Sequence, residues 1–455
     1  MRSAEEYLAG LRDGREVYYR GERVEDVVAH PELGLAARHG ALDFHGPSPE
    51  PSPYYAIPRS RADLRARSAL IEESTRRGRT LVVLIKEIGT DALFALHRVT
   101  HGTDAYARVE SYFEHCRDGD LALAVAQTDV KGDRGKLPSE QEDPDVYVRI
   151  VDRNDDGIVV RGAKVHTSYA ANADELIVIP TRSLAAGEEN WAVAFAVPVA
   201  TPGLKLFCSD FLHGTDDPFT YPISSGRKMI ETLTVFDDVF VPWERVFLAG
   251  DVDRAGYLAL GFVEYHRMTA VSYKLPLLDA LVGLGFALAE ANGIARASHV
   301  REKLTWLIAY AESVRALIET ACDRGGVDEA TGITFPDPLL TNIAKWTFAR
   351  DYYAAVERVI DLAGGLLVTA LGGADWAAEH VRPYMEKYFA AAAPAEERLA
   401  LVNLASELLA RGYAGYQGVL AVHAEGSIEA EKLMVYRSYD PSAARAYARK
   451  LAGLD

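Results

Sequence analysis

The chain has 455 residues, 49% of them hydrophobic and 25% charged, with a formal net charge of −17. That is the balance of a globular protein long enough for two or three cooperating domains, and its acidity argues against nucleic acid as a partner, because like charge repels phosphate. The three cysteines, Cys116, Cys208 and Cys322, lie far apart with no CxxC pair, so neither a disulfide framework nor a local zinc site is expected, and a cytosolic setting fits. The amino terminus is charged from its second residue, and no run approaches the length of a membrane span, so secretion and membrane spanning are not expected either.

Along the chain the hydrophobic period changes twice, which predicts three parts. Residues 1–120 read as a mostly helical domain, with Ala92, Leu93, Leu96 and Val99 and then Tyr106, Val109 and Phe113 at helical spacing, interrupted by a loop carrying Pro47, Pro49, Pro51 and Pro53. Residues 121–255 break into short β-type runs: VYVRI (146 to 150), GIVVRG (157 to 162), ELIVIP (175 to 180), WAVAFAVPV (191 to 199), LKLFC (204 to 208) and TLTVFDDVFV (232 to 241). Their β-branched and aromatic content, with a turn at RNDDG (153 to 157), predicts an antiparallel sheet or small barrel. Residues 256–455 return to the helical period, as in Val300, Leu304, Leu307, Ala311, Val314 and Ile318, and predict a helix bundle.

Helices, then a β-domain, then a four-helix bundle is the layout of the acyl-CoA dehydrogenase architecture, mainly α with a central β-domain. Fold alone does not assign function. Two polar stretches stand out in the β region. AQTDVKGDRGKLPSEQEDPD (126 to 145) crowds small and charged residues ahead of a strand, and GAKVHTS (162 to 168) ends a strand on His166, Thr167 and Ser168, whose hydroxyls can donate to a ligand. The plain alternative for the first is a solvated loop with salt bridges among Asp129, Asp133, Lys131 and Arg134.

MRSAEEYLAGLRDGREVYYRGERVEDVVAHP (1 to 31), TDVKGDRGKLPSEQEDPD (128 to 145), GIVVRGAKVHTS (157 to 168), TVFDDVFVPWERVFLAGD (234 to 251) and DLAGGLLVT (361 to 369) together resemble the 4-hydroxyphenylacetate 3-hydroxylase family, over nearly the whole chain. That family also contains 4-hydroxybutyryl-CoA dehydratase. The resemblance implies the acyl-CoA dehydrogenase-like fold, FAD or reduced FAD as cofactor, and a homotetramer built as a dimer of dimers, with residues 256–455 as the oligomerisation domain. It places Thr128, Asp129 and Arg134 in a first flavin loop, Thr167 and Ser168 in a second, and Gly364 and Gly365 at a turn that meets a neighbour's FAD, a helix cap being the alternative.

The two branches of the family differ in residues that can be read one at a time. Dehydratases hold an iron–sulfur cluster with two cysteines four apart and a His and Cys seven apart; here Val83, Glu87 and Tyr273 fall at the cysteines and only His266 remains. Such clusters need thiolates, so none is expected. Hydroxylases hold a phenolate with Arg, Tyr and His; here Tyr106 fits, while Gly102 and Val125 replace the other two. Glu231, at a dehydratase active-site glutamate, and His266 form a candidate acid/base pair, with Tyr273 two helical turns beyond His266 as a hydroxyl donor.

The structural alternatives are a polar residue at a helix start for His266, a partner of Arg227 or Lys228 for Glu231, and a core residue for Tyr273. The resulting expectation is the oxygenase component of a two-component monooxygenase. It would take reduced FAD from a separate flavin reductase and hydroxylate a phenolic or other electron-rich small molecule. The second reading is a redox-neutral FAD-containing dehydratase or isomerase acting on an acyl-CoA or carrier-bound substrate, and the third a catalytically silent flavin- or acyl-binding protein.

Overall fold

The computed structural model describes residues 1–211 and 216–454. Its first part contains α1 (Ala4–Gly10), β1 (Glu16–Tyr19), β2 (Glu22–Val24), α2 (Leu33–Gly40), α3 (Arg61–Arg77), α4 (Glu87–Thr100) and α5 (Tyr106–Asp118). Ser3 and Ser60 start α1 and α3 with capping boxes, each accepting from the backbone N–H three residues on, which satisfies donors that a helix start leaves free.

The middle part holds β3 (Leu123–Ala126), β4 (Arg149–Arg153), β5 (Gly157–Ser168), β6 (Glu175–Val178), β7 (Val193–Pro198), β8 (Leu204–Cys208), β9 (Glu231–Pro242) and β10 (Val246–Ala249). They do not close into a barrel. One sheet runs β2-β1-β8-β9-β5-β4 and a second runs β10-β7-β6-β3. Both are mixed, since β1 is parallel to β8 and β3 is parallel to β6.

One expectation is therefore corrected: the middle strands do not form an antiparallel barrel, because the edge of β8 is taken, in parallel, by the β1–β2 hairpin from the mostly helical first part. That hairpin turns on Arg20 and Gly21, at φ 53° and 84°, the pair of positive φ values that a two-residue type I′ turn demands. EVYY-RG-ERV carries this signal, two short β-type runs separated by two residues ending in Gly, but the helical reading of its surroundings masks it.

The last part is helical: α6 (Val252–Ala291), α7 (Ser298–Asp323), α8 (Pro338–Ala363), α9 (Leu366–Thr369), α10 (Gly373–Ala377), α11 (Arg382–Tyr388), α12 (Ala395–Leu409), α13 (Gly412–Val422), α14 (Ile428–Ser438) and α15 (Ser442–Leu451). Helices α6, α7, α8 and α12 pack together, while α3 and α4 of the first part lie on α6 from the other side. The most apolar 18-residue window of α6 has a mean hydropathy of 1.4, and 67% of it is buried inside the fold. An apolar helix this long is the core around which the other helices assemble.

Close packing between α4 and the β-domain rests on Gly89, where an added Cβ would sit 2.1 Å from Leu123 Cβ. Gly89→Ala should destabilise the protein by roughly 1–3 kcal/mol, the usual cost of overpacking. Gly226→Ala, with nothing within 4 Å of the added carbon, should stay within about 0.5 kcal/mol. Thermal unfolding of both variants checks this, and equal midpoints would contradict the contact.

Candidate active site

The site grows from the far end of the β5–β9 ladder. A register shift between Lys164 and Thr167 breaks the pairing, and His166 there adopts φ 55°, a left-handed conformation found at strand bulges. The bulge brings Thr167 opposite Thr232 and Ser168 opposite Glu231. The Ser168 hydroxyl lies 3.0 Å from both carboxyl oxygens of Glu231. Burial raises the pKa of Glu231 from 4.5 to about 7, against the Ser168 hydrogen bond, which lowers it. Glu231 pairs with neither Arg227 nor Lys228: Lys228 bonds Glu32 at 2.9 Å, and Arg227 donates to the carbonyl of Gly226.

The loop predicted to touch the cofactor is tied to the same strand. Thr128 O accepts from Val165 N at 2.9 Å. Lys164 Nζ reaches Asp129 Oδ1 at 2.6 Å and the carbonyls of Gln127 and Ile179 at 2.8 and 3.2 Å. The carboxylate of Asp129 thus locks the two loops together through Lys164, and the bridges imagined within the loop are replaced by this one and by Asp133 with Lys136. Arg134 is exposed at the loop tip.

Across from the bulge stands the turn between α13 and α14, His423–Ser427. His423 and Lys131 both face His166 closely enough to hold its pKa below the ordinary value, after burial as the main cause. Glu425, at φ 58°, is buried near Glu231 and Glu431, and burial first, then these carboxylates, push its pKa well up. Lys274 Nζ meets Glu425 at 2.8 Å, and Lys345 meets Glu431 at 3.0 Å. Arg267 donates to the Glu425 carbonyl at 3.1 Å. Gly426, at φ 116°, leaves room for that guanidinium, since a Cβ there would lie 2.7 Å from it. The HAEGS stretch (423 to 427) is therefore a turn clamped onto α6 by buried ion pairs.

Helix α6 supplies the third wall. His266 lies well inside it rather than at its start, buried, stacked on Phe262 with ring centroids 4.9 Å apart, and 3.5 Å from Asp91 of α4. Burial depresses its pKa, which Asp91 opposes. Tyr273 belongs to the core, as its structural alternative has it, but its hydroxyl accepts from Lys274 Nζ at 3.3 Å. Both line a small cavity with Thr80, Val82, Phe348 and Gln417.

The structure brings Ser168 and Glu231 together and sets His266 and Tyr273 on one helix. Among the described residues no hydrogen bond or ion pair joins His266 to Glu231: His266 feels Asp91, Lys274 and Arg267, whereas Glu231 bonds Ser168 and acts on Glu425. Tyr106 is half-buried at the start of α5, its ring against His97 and His101 at 5.9 and 5.1 Å. Gly364 caps α8 at φ 70° in an exposed turn with Gly365.

Residues that pattern reading passed over are Asp91 and Lys274, whose signal was available as charges within apolar helical surroundings, rarely buried unless paired. Glu425 belongs to the HAEGS turn, a stretch whose residue types do not reveal its role. Thr167 Oγ1 is buried without a hydrogen-bond partner, and such an orphan next to Ser168 fits a bound group rich in ring nitrogens and carbonyls, as a flavin is.

Two family profiles cover the chain, 4-hydroxyphenylacetate 3-hydroxylase N terminal over residues 3–248 and C terminal over residues 255–453. The chain is 30% identical to the 4-hydroxybutyryl-CoA dehydratase/vinylacetyl-CoA-Delta-isomerase of Clostridium aminobutyricum, over 100% of each chain. It is also 30% identical to the oxygenase component of 4-hydroxyphenylacetate 3-monooxygenase of Thermus thermophilus, over 91% of this chain and 90% of that one. The solved structure of such an oxygenase component with FAD and 4-hydroxyphenylacetate superimposes with a TM-score of 0.92 at 28% identity, covering 99% of this chain and 98% of the other. The archaeal 4-hydroxybutyryl-CoA dehydratase from N. maritimus gives 0.92 at 26% identity, with coverage of 100% and 95%.

The raised pKa of Glu231 has a consequence for stability. The folded protein keeps this proton up to about pH 7, whereas the unfolded chain releases it near 4.5, so stability falls as pH rises through that window and then levels off. Glu231→Gln should flatten that decline. Thermal midpoints of the two proteins measured in steps across the window check it; parallel curves would show that Glu231 does not titrate there.

Proposed function

The chain belongs to the 4-hydroxyphenylacetate 3-hydroxylase family, and from that premise we propose that it is the oxygenase component of a two-component, reduced-FAD-dependent monooxygenase. Its substrate is a phenolic or other electron-rich small molecule. The observation that carries this reading is the replacement of the cluster thiolates within a fold that superimposes on FAD-bound oxygenase components. Val83, Glu87 and Tyr273 cannot hold iron as cysteines do, and Cys116, Cys208 and Cys322 are all buried elsewhere. A separate flavin reductase supplies the reduced cofactor, and the working form is a cytoplasmic homotetramer built through the helical part. Residues 1–120, 121–255 and 256–455 act as its three units in the acyl-CoA dehydrogenase manner.

When bound, reduced FAD supplies the two electrons with which one atom of molecular oxygen enters the substrate and the other leaves as water. Thr167, Ser168 and Thr128 hold the ring, with Asp129 bracing their loops through Lys164. Arg134, exposed in the first loop, would reach the cofactor, and Gly364 and Gly365, exposed after α8, would meet that of a neighbouring copy. His266 exchanges a proton with the substrate. Glu231, poised near neutrality, either donates or accepts one. Tyr273 and Tyr106 give hydroxyls to the substrate pocket. Gly102 and Val125, in place of an arginine and a histidine, leave room for substrates other than a 4-hydroxyphenyl acid.

The likeness to two dehydratases over the full length favours a second reading, a redox-neutral dehydratase or isomerase of an acyl-CoA or carrier-bound substrate, without an iron–sulfur cluster. Oxygen labelling separates the two. Protein loaded anaerobically with reduced FAD, mixed with a panel of phenols and ¹⁸O₂, should yield a hydroxylated product carrying one labelled atom. His266→Ala should bind reduced FAD as the unaltered protein does but lose roughly 10²-fold or more of product formation. An unlabelled product, or conversion of an acyl-CoA without oxygen, would replace the monooxygenase reading with the lyase one.

A further inference from the structure

Three helices meet at the buried imidazole of His266, and they leave two polar atoms unsatisfied face to face. Asp91 Oδ2, on α4, and His266 Nδ1, on α6, are both buried without a hydrogen bond, 3.5 Å apart. An unmade bond of this kind costs about 1–3 kcal/mol for each buried group, so a slight approach that forms it is favoured; catalytic hydrogen bonds are often long before substrate arrives.

The other oxygen of Asp91 is fixed. Arg67 of α3 donates to Asp91 Oδ1 at 2.7 Å, and the same guanidinium bonds Tyr54 O at 3.1 Å, Glu87 O at 2.9 Å and Thr90 Oγ1 at 2.8 Å. It lies over the ring of Phe94 at 5.0 Å. Arg67 therefore holds the carboxylate in place, at side-chain exposures of 5% for the arginine and 0% for the aspartate. The imidazole cannot swing freely either, because Phe262 is stacked on it at an interplanar angle of 19°.

The charged groups that face this imidazole are Asp91 from α4, backed by Arg67 from α3, and Lys274 and Arg267 from α6 itself. Burial and the two α6 cations favour a neutral ring, which carries one proton. A carboxylate accepts and cannot donate, so that proton belongs on Nδ1. Nε2 has no hydrogen-bond partner among the described residues.

We propose that Asp91, anchored by Arg67, is a positioning residue that fixes His266 as its Nδ1–H tautomer and so presents Nε2 as the acceptor of a substrate hydroxyl proton. This rests on the monooxygenase reading. In the step, the substrate O–H bond breaks, an N–H bond forms at Nε2, and the products are a phenolate and an imidazolium. Asp91 takes no proton in this step and its carboxylate faces the imidazolium, while the phenolate is the more electron-rich partner for oxygen.

The test has a readout that a merely structural role would not move. Full-length protein carrying ¹⁵N-histidine, with His266→Gln for assignment, should show an unprotonated Nε2 at His266 by its nitrogen shifts, and Asp91→Asn should move the proton toward Nε2. In turnover at mildly alkaline pH with reduced FAD, Asp91→Asn should lose at least about tenfold with 4-methylphenol, whose hydroxyl must be deprotonated. With 4-nitrophenol, already largely ionised, it should lose less than about twofold, since a general base supplies 10²–10⁴ only where a proton moves. An Nε2-bound proton in the unaltered protein, or equal losses with both phenols, would overturn the dyad. The tautomer of the unaltered protein decides the matter even if the Asp91→Asn variant does not fold. Failure to oxidise either phenol would overturn the monooxygenase reading, and the acceptor role with it, while leaving the nitrogen shifts to report on the dyad alone.

Discussion

Helix α6 carries His266, Arg267 and Lys274 into the interior of the protein, and a charge in a low-dielectric interior has to be met by an opposite charge or a hydrogen bond. Much of the architecture around the site answers that requirement. Lys274 draws in Glu425 and thereby the turn between α13 and α14. Arg267 takes the carbonyl of the same residue and the side chain of Asn342 from α8. His266 is met by Asp91 from α4. Three elements distant in sequence are thus registered on one helix by electrostatics, where apolar packing alone would tolerate sliding by a side chain or so.

That clamp explains why the site can be open on one side and rigid on the other. The β5–β9 end offers hydroxyls and a carboxyl held by a single serine, groups that can exchange partners with a ligand. The α6 side offers groups already committed to one another. A cofactor laid between them would meet adaptable donors on one face and fixed charges on the other, an arrangement in which binding and chemistry are served by different walls.

Much of this was legible in the amino-acid order. The two polar stretches stand out by residue type and do lie side by side in the fold, whereas the contact of Glu231 with Ser168 comes from a bulge in the β5–β9 pairing that no residue pattern announced. The raised pKa of Glu231 follows from burial, the effect on which its reading as half of an acid/base pair relies. What could not be read was partnership across long separations. Asp129 was set among its loop neighbours and instead reaches Lys164; Asp91 and Glu425 gave no sign of the α6 residues they face. The barrel failed for the same reason: the strand that flanks β8 comes from residues 16–19, and no local pattern announces such a pairing.

That parallel pairing also bears on how the molecule is made. Glu16 is matched to Lys205, and at a synthesis rate of 5–20 residues per second the hairpin waits roughly 10–40 s for its partner strand to be translated. Until then one edge of the future six-stranded sheet exists only as an isolated two-stranded ribbon, which is marginally stable at best. The central sheet is therefore a late, non-local event of the kind that slows folding, and a fragment beginning at residue 121 would bare an unpaired edge on β8 and be prone to join another chain there. In the living cell, the nascent protein depends on its first twenty-odd residues remaining uncommitted until nearly half the chain has emerged.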